Sequence, residues 1–281
     1  MWEDKEIDKV VKGFLRQILG VNKKTTISGL RAETGKYPLS MNIYTQMMKY
    51  WTRLLTTESQ LMQEAHKDNL KRFREGKPCW IQPLIYLLRT CEIEEIDVSK
   101  VCENRHLFIR QIKEKLSNHY KTNWKESIER KDGKLRFYQE MKKNFQFENY
   151  LDKISRADRK QITRLRLSCH NLPIETMRYQ KTETRKEERK CNLCSGGEVG
   201  DEWHYLTSCK HIEISDVRGV FEAKVKSLQP QLRNFNLKSL MKYCITMHDT
   251  LVQGETALFV KELLQTYGDA TEKEEGKCSL M

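Results

Sequence analysis

Four residues within nineteen positions form a set of soft metal ligands. Cys191-Asn192-Leu193-Cys194 is a C-x2-C pair, His204 follows after nine intervening residues, and Cys209 after four more. Thiolate and imidazole in a set of four match what zinc takes in tetrahedral structural sites. A two-residue gap lets both thiolates of a tight turn reach one ion, and Gly196 and Gly197 let the chain turn back at once. His204 and Cys209 stand a little over one helical turn apart, so one short helix can present both. With four protein ligands the site is closed, which implies a structural Zn2+ and no metal catalysis. His211, two residues beyond Cys209, is a rival fourth ligand. A redox reading of the C-x-x-C lacks the βαβ setting it needs.

A second constellation is electrostatic. Lys and Arg total 51 against 39 Asp and Glu, a formal charge of +12. The surplus is uneven: residues 1–110 carry +5, 111–150 carry +4, 151–190 carry +6, and 191–281 carry −3. Its densest part lies just before the cysteines. There Arg156, Lys160 and Arg164 stack at i, i+4 and i+8 of a helical pattern, with Ile162, Leu165 and Cys169 on another face. Like charges at that spacing repel, and a bound polyanion relieves them, which points to nucleic acid. Pairing with neighbouring acids is the plainer reading of such a row.

Helices must position these residues. Thirteen Gly and five Pro are few for 281 residues, which favours long helices with short links over a many-stranded sandwich. Apolar stripes predict helices over residues 7–21, 40–55 (Ile43, Met47, Tyr50, Trp51, Leu54, Leu55) and 83–91, and 58–75 reads as a charged helix. Residues 20–40 read as a Lys/Thr/Ser/Gly-rich loop. Phe108, Ile112, Leu116, Tyr120, Trp124 and Ile128 recur every four residues and predict one long helix. Further helices are expected from 155, near 217–228, 237–245 and 257–267, followed by a polar, flexible tail from Gly268. The acidic stretch Glu92–Lys100 is the candidate boundary. The expected divisions are 1–91, 92–184, 185–212 for the metal module, 213–267 and 268–281. No run approaches the about 20 apolar residues of a spanning helix. The charged opening Met1-Trp2-Glu3-Asp4 has no signal-peptide pattern. Nine cysteines, six of them scattered singly, fit a reducing compartment, so an intracellular protein, nuclear or cytoplasmic, is expected.

Around the metal ligands the wording of the chain is distinctive. Arg164-Leu165-Arg166-Leu167, His170-Asn171-Leu172-Pro173-Ile174-Glu175-Thr176, Arg178-Tyr179, Arg189-Lys190-Cys191-Asn192-Leu193-Cys194 and Glu202-Trp203-His204-Tyr205-Leu206 with Cys209 resemble the reverse-transcriptase zinc-binding segment. That segment lies at the C-terminal end of non-LTR (LINE-type) retrotransposon reverse transcriptases. Leu19-Gly20-Val21-Asn22-Lys23-Lys24-Thr25, with Glu33, Gly35 and Tyr37-Pro38-Leu39-Ser40, resembles the region after the polymerase thumb of such elements. The likeness runs from about residue 10 to about residue 265. Met177 stands where the family commonly has Gly, so the local turn is expected to differ.

The resemblance implies RNA or DNA as ligand and a separate polymerase-bearing protein as a possible partner; the residues expected on phosphates, from the basic pattern, are Arg156, Lys160, Arg164, Arg166 and Arg178. It also implies a non-catalytic part, since the chain has no Asp-Asp for a polymerase palm. Pro230 is followed by Gln231, so the Pro-Asp of a restriction-like nuclease is missing, as are P-loop, HExxH and G-x-S-x-G motifs. The expected fold is all-α, with helical subdomains around a small embedded CCHC zinc module. The expected function is nucleic-acid binding without catalysis. The alternative is a decayed or coopted retroelement fragment acting as a protein-interaction module. Cys278-Ser279-Leu280-Met281 fits a C-a-a-X farnesylation pattern, although the residues before it are acidic rather than polybasic.

Overall fold

The computed structural model describes residues 5–90, 93, 103–130, 133–180, 184–246 and 249–278. Among these residues the protein is all-α, with no strand beyond the isolated bridges Thr34–Phe147 and Lys190–Val199. In chain order the helices are α1 Lys5–Leu19, α2 Ile27–Thr34, α3 Leu39–Leu55, α4 Gln60–Arg74, α5 Gln82–Thr90, α6 Arg105–Ile128 and α7 Arg136–Met141. Then follow α8 Tyr150–Lys153, α9 Arg156–Arg166, α10 Pro173–Thr176, α11 Ile212–Leu228, α12 Leu237–Thr246 and α13 Thr250–Cys278. None of the described helices is long and apolar enough to cross a membrane.

The chain forms two compact units, one from Met1–Val10 and Tyr37–Glu126, the other from Val11–Lys36 and Ser127–Met281. In the first, the four-residue stripe of α6 buries Ile112, Leu116, Tyr120 and Trp124. Tyr37 meets Tyr120 edge to face at 5.5 Å, and its hydroxyl bonds Ser117 Oγ at 2.7 Å. On α3 the buried face differs from the expected stripe. Met41, Met48, Thr52 and Leu54 are inside, while Ile43 and Tyr50 are exposed. Thr45 and Thr52 donate to the helix carbonyls of Met41 and Lys49, so their hydroxyls are satisfied without water and that face can turn inward. On α4 no residue is buried.

The second unit carries the Cys191, Cys194, His204 and Cys209 cluster. α13 lies along α11 and α9, and Phe221 stacks on Phe259 at 4.2 Å. Leu165, Ile174, Leu206, Val225, Leu240 and Leu263 belong to its continuous core, each side chain contributing roughly 1.5–3 kcal/mol on burial. The polar tail expected from Gly268 is instead the continuation of α13, which keeps Tyr267 and Ala270 buried and runs to Cys278. The expected boundary at 92–100 lies outside the described residues apart from Ile93, and so does the Ser279–Met281 part of the C-a-a-X pattern.

The loop expected over 20–40 contains α2. Thr26 caps it by accepting from Gly29 N, and Gly35 closes it with a left-handed φ of 61°. From Gly29 to Thr34 every residue is buried, Arg31 and Glu33 included. A helix buried on all sides has no amphipathic period, and two of its inward residues are charged, which hides it from a hydrophobic pattern.

Candidate metal centre

A short doubled-back segment carries the first two ligands. Lys190 bridges Val199, Cys191 N donates to Glu198 O at 2.8 Å, and Gly200 N donates to Arg189 O at 2.8 Å. Glycine is required at 200, because a Cβ there would stand 2.8 Å from Pro173 Cγ and 3.2 Å from Cys191 Cα. The second pair sits on a π-helical turn, His204–Ser208. Its opening is held by Asp201 Oδ1, which accepts from His204 N at 2.9 Å. Cys209 N donates to His204 O at 2.8 Å, an i to i+5 bond. The five-residue step from His204 to Cys209 is therefore one π turn, which brings both side chains to the same end.

The four ligand atoms lie within 4.8 Å of one another, and Cys191, His204 and Cys209 are buried. This cluster could hold a metal ion. Cys191 Sγ is 4.0 Å from Cys209 Sγ, and Cys194 Sγ is 3.5 Å from His204 Nε2. A tetrahedron with thiolates at about 2.3 Å and imidazole at about 2.0 Å has S···S edges of about 3.8 Å and S···N edges of about 3.5 Å. Cys209, not His211, completes the set.

Outer contacts orient the ligands. Glu198 Oε2 is 2.6 Å from His204 Nδ1 and accepts from Ser208 Oγ at 3.2 Å. With the proton on Nδ1, Nε2 is the free nitrogen aimed into the cluster, the arrangement that carboxylate–histidine–metal sites use. Leu193 N donates to Cys191 Sγ at 3.4 Å, and the Tyr205 hydroxyl lies 3.2 Å from the same sulfur. Tyr205 and Tyr267 both donate to Asn192 Oδ1. Arg218 Nη2 donates to Cys209 O at 3.0 Å.

Protons alone distribute unevenly over this set. The Cys209 hydrogen bond holds Cys191 far below the usual thiol range, against its burial, and the same bond with burial pushes Cys209 far up. Burial opposes charge on His204, but the bonds to Cys191 and Glu198 outweigh it and raise the imidazole to about 9. A metal ion held by this cluster would displace protons from Cys209 and His204, so uptake would release protons.

Beside the cluster lies a buried ion network. Arg136 donates to Glu175 Oε1 at 2.9 Å and to Glu202 Oε2. Ser168 Oγ and His170 Nε2 meet Glu202 Oε1 at 2.8 and 2.9 Å. Burial alone would raise Glu202, yet His170 and Arg136 outweigh it and hold the carboxyl at about 2. Met177 is right-handed, with φ −69°, and leads into a 3-10 turn, Met177–Tyr179.

Three of the five basic residues expected on phosphates come together, and two, Arg166 and Arg178, do not join them. Arg156 Nη2 donates to Gln17 O at 3.3 Å and Arg164 Nε to Gly20 O at 3.0 Å. Between them Lys160 lays its methylene stem across Gly20. The row thus faces the C-terminal end of α1, where unpaired carbonyls and the helix dipole favour cations. Its partners are neutral carbonyls, and among the described residues no carboxylate pairs with the three. Arg166 is a correction to the expected contact set. It is 1% exposed, with Nε and Nη2 on the Glu33 carboxylate at 2.7 and 3.2 Å. The reason is helical geometry: two residues past Arg164 is a rotation of about 200°, onto the core face. Arg178 is half-buried, with Nε 3.4 Å from Glu175 Oε1.

Glu198, Tyr205 and Asn192 do not stand out in the sequence, because an outer contact carries no spacing rule. Glu198 had one local signal, an acid six residues before the histidine ligand. Compared with protein-family models, curated proteins and solved structures, the chain finds no match.

Proposed function

We propose that this protein is a non-catalytic nucleic-acid-binding module whose local fold is tied by a structural zinc ion, similar to the C-terminal segment of a non-LTR reverse transcriptase. The observation that carries the binding reading is the Arg156–Lys160–Arg164 row. Its hydrogen bonds go to neutral carbonyls, so its charge stays uncancelled at the surface of the unit that holds the Cys3His cluster. Zinc is the metal that three thiolates and one imidazole in a compact, mostly buried set select best. The ligand set is closed, so the metal's role is to hold the segment 191–209 and not to activate water.

Fluorescence anisotropy with a labelled oligonucleotide tests the binding. Affinity should fall steeply with salt, and the double variant Arg156→Gln/Lys160→Gln should lower the slope of log K against log salt by about two. Arg156 is exposed and Lys160 half-buried, and neither belongs to the core, so the helix they sit on should survive, as circular dichroism would record. Absence of binding at low salt by the wild-type protein overturns the reading. Metal analysis of freshly purified protein should find about one zinc ion per chain, as a single four-ligand site requires.

A further inference from the structure

Tyr179 is an aromatic ring set among cations. It closes the 3-10 turn Met177–Tyr179, in which no residue is buried, and it is 44% exposed. Lys24 Nζ lies 3.9 Å from the centre of the ring and Lys134 Nζ 5.7 Å. The basic row is near. Arg164 Nε bonds Gly20 O, the stem of Lys160 crosses Gly20, and only Val21, Asn22 and Lys23 separate Gly20 from Lys24. Four Cα steps of about 3.8 Å span at most about 15 Å. Asn22 N donates to Cys169 Sγ at 3.2 Å, and Asn22 Oδ1 accepts from Lys24 N at 3.0 Å, which ties this loop down. Asn22, Lys23 and Lys24 are exposed, so the path from the row to the ring runs over the surface of one compact unit.

Beside the ring is a polar cavity of about 300 Å³, the lower end of the size range of ligand pockets, lined by Asn22, Lys24, Asn171 and Tyr179 among others. Its innermost residues form an ion pair. Lys134 Nζ faces Glu175 Oε2 at 3.6 Å, and the two side chains are 8% and 3% exposed. Glu175 Oε2 has no hydrogen bond, and the ammonium's other contacts, Lys24 O at 3.3 Å and Tyr179 OH at 3.5 Å, are long. The pair thus sets an unused acceptor beside an under-used donor. A lone anion would face the carboxylate as well as the ammonium. A group that carries an acceptor and a donor side by side on one flat edge suits both. A nucleobase has such an edge, and it also has the π face that an exposed ring can meet.

We propose that Tyr179 is a stacking platform for an unpaired base, so that the nucleic acid this protein binds is a single strand. Its phosphates lie on the Arg156–Lys160–Arg164 row, and one base stacks on the ring with its edge toward the Lys134–Glu175 pair. Lys24 does not bar the base. An exposed cation–π contact is worth about two- to fivefold in binding, against about five- to 150-fold for a base stacked on an aromatic side chain, so the base displaces the ammonium and frees it for a phosphate. A duplex keeps its bases stacked on one another and offers the ring none. This rests on the nucleic-acid reading above and adds to it the form of nucleic acid bound.

The test measures one labelled oligonucleotide, alone and annealed to its complement, by anisotropy on the full chain across a salt series, once as RNA and once as DNA. Tyr179→Ala should weaken the single strand about tenfold and leave the duplex within about twofold. The salt slope should not change, since no phosphate contact is lost. Tyr179→Phe keeps the ring and should bind the single strand as the wild-type protein does. The loss should appear with either sugar, because the ring meets the base. Wild-type affinity of Tyr179→Ala for the single strand overturns stacking while the nucleic-acid reading stands, and so does an equal loss with the duplex. Tyr179→Phe as weak as Tyr179→Ala overturns it too, because the contact would then be the hydroxyl. Failure of the wild-type protein to bind either form at low salt removes the nucleic-acid reading and this one with it.

Discussion

At the scale of single residues, two buried groups of polar atoms do different work. In the Cys3His cluster, Glu198 fixes which nitrogen of His204 faces the sulfurs. Glu198→Gln should therefore weaken metal binding by about 10–100-fold without abolishing it, as competition with a chromophoric chelator would show. In the other group, Glu33 takes Arg166 and the hydroxyls of Tyr138 and Tyr150, all of them buried. Arg166→Met leaves that carboxylate unpaired and should cost about 3–5 kcal/mol in urea unfolding. The tyrosines set a pH limit. Burial, and then Glu33, raise Tyr138 and Tyr150 well above the ordinary phenol value. A raised folded pKa means the stabilisation is complete below the unfolded value of about 10 and is lost as pH climbs beyond it. Absorbance titration should find these two phenols ionising together with unfolding, later than the exposed tyrosines. Early, independent ionisation of all eleven tyrosines would contradict the buried cluster.

At the scale of elements, what the sequence reveals depends on how each helix is buried. The stripe of α6 is legible because one face is core and the rest is solvated: Ile112, Leu116, Tyr120, Trp124 and Ile128 are all buried. The metal ligands are legible because their chemistry tolerates few spacings. α2 is illegible because it lies inside on every side, with Arg31 and Glu33 at inward positions. The α3 stripe misleads because threonine, counted as polar, turns inward once its hydroxyl finds a helix carbonyl. Arg166 misleads for the opposite reason, a cation counted with its exposed neighbours although it sits on the core face. The exit of α2 gives a sharp test. Gly35 holds a left-handed φ, and a Cβ there would stand 2.6 Å from Phe147 N, beside the Thr34–Phe147 bridge. Gly35→Ala should destabilise by at least about 1–2 kcal/mol, read as a lower midpoint in chemical unfolding.

At the scale of the whole molecule, the Cys3His cluster and the core are one object in the second unit. Cys191 and Cys209 belong to the same buried cluster as Tyr205, Leu206, Phe221 and Tyr267. Stripping the metal with a strong chelator should lower the thermal midpoint and change the emission of Trp203, which is next to His204 in sequence and packs on Phe137 at 5.1 Å. An unchanged midpoint would show that the helices hold the segment 191–209 without help. The net charge of +12 also reads differently at this scale. Part of it is spent on buried carboxylates, as in Arg136 and Arg166, and part faces backbone carbonyls, as in Arg156 and Arg164.

Glu33 belongs to the second unit, but its partners Tyr138, Tyr150 and Arg166 follow 105, 117 and 133 residues later in the chain. Synthesis at about 5–20 residues per second separates the carboxylate from its guanidinium by roughly 7–27 s. During that interval the Val11–Lys36 segment has left the ribosome without the residues that bury it, while the whole of Tyr37–Glu126 emerges and can pack on its own contacts. Packing of Val11–Lys36 should therefore lag behind its synthesis. Until α9 arrives, the nascent chain should carry an unfinished, apolar and basic segment whose one carboxylate, Glu33, waits for its partner.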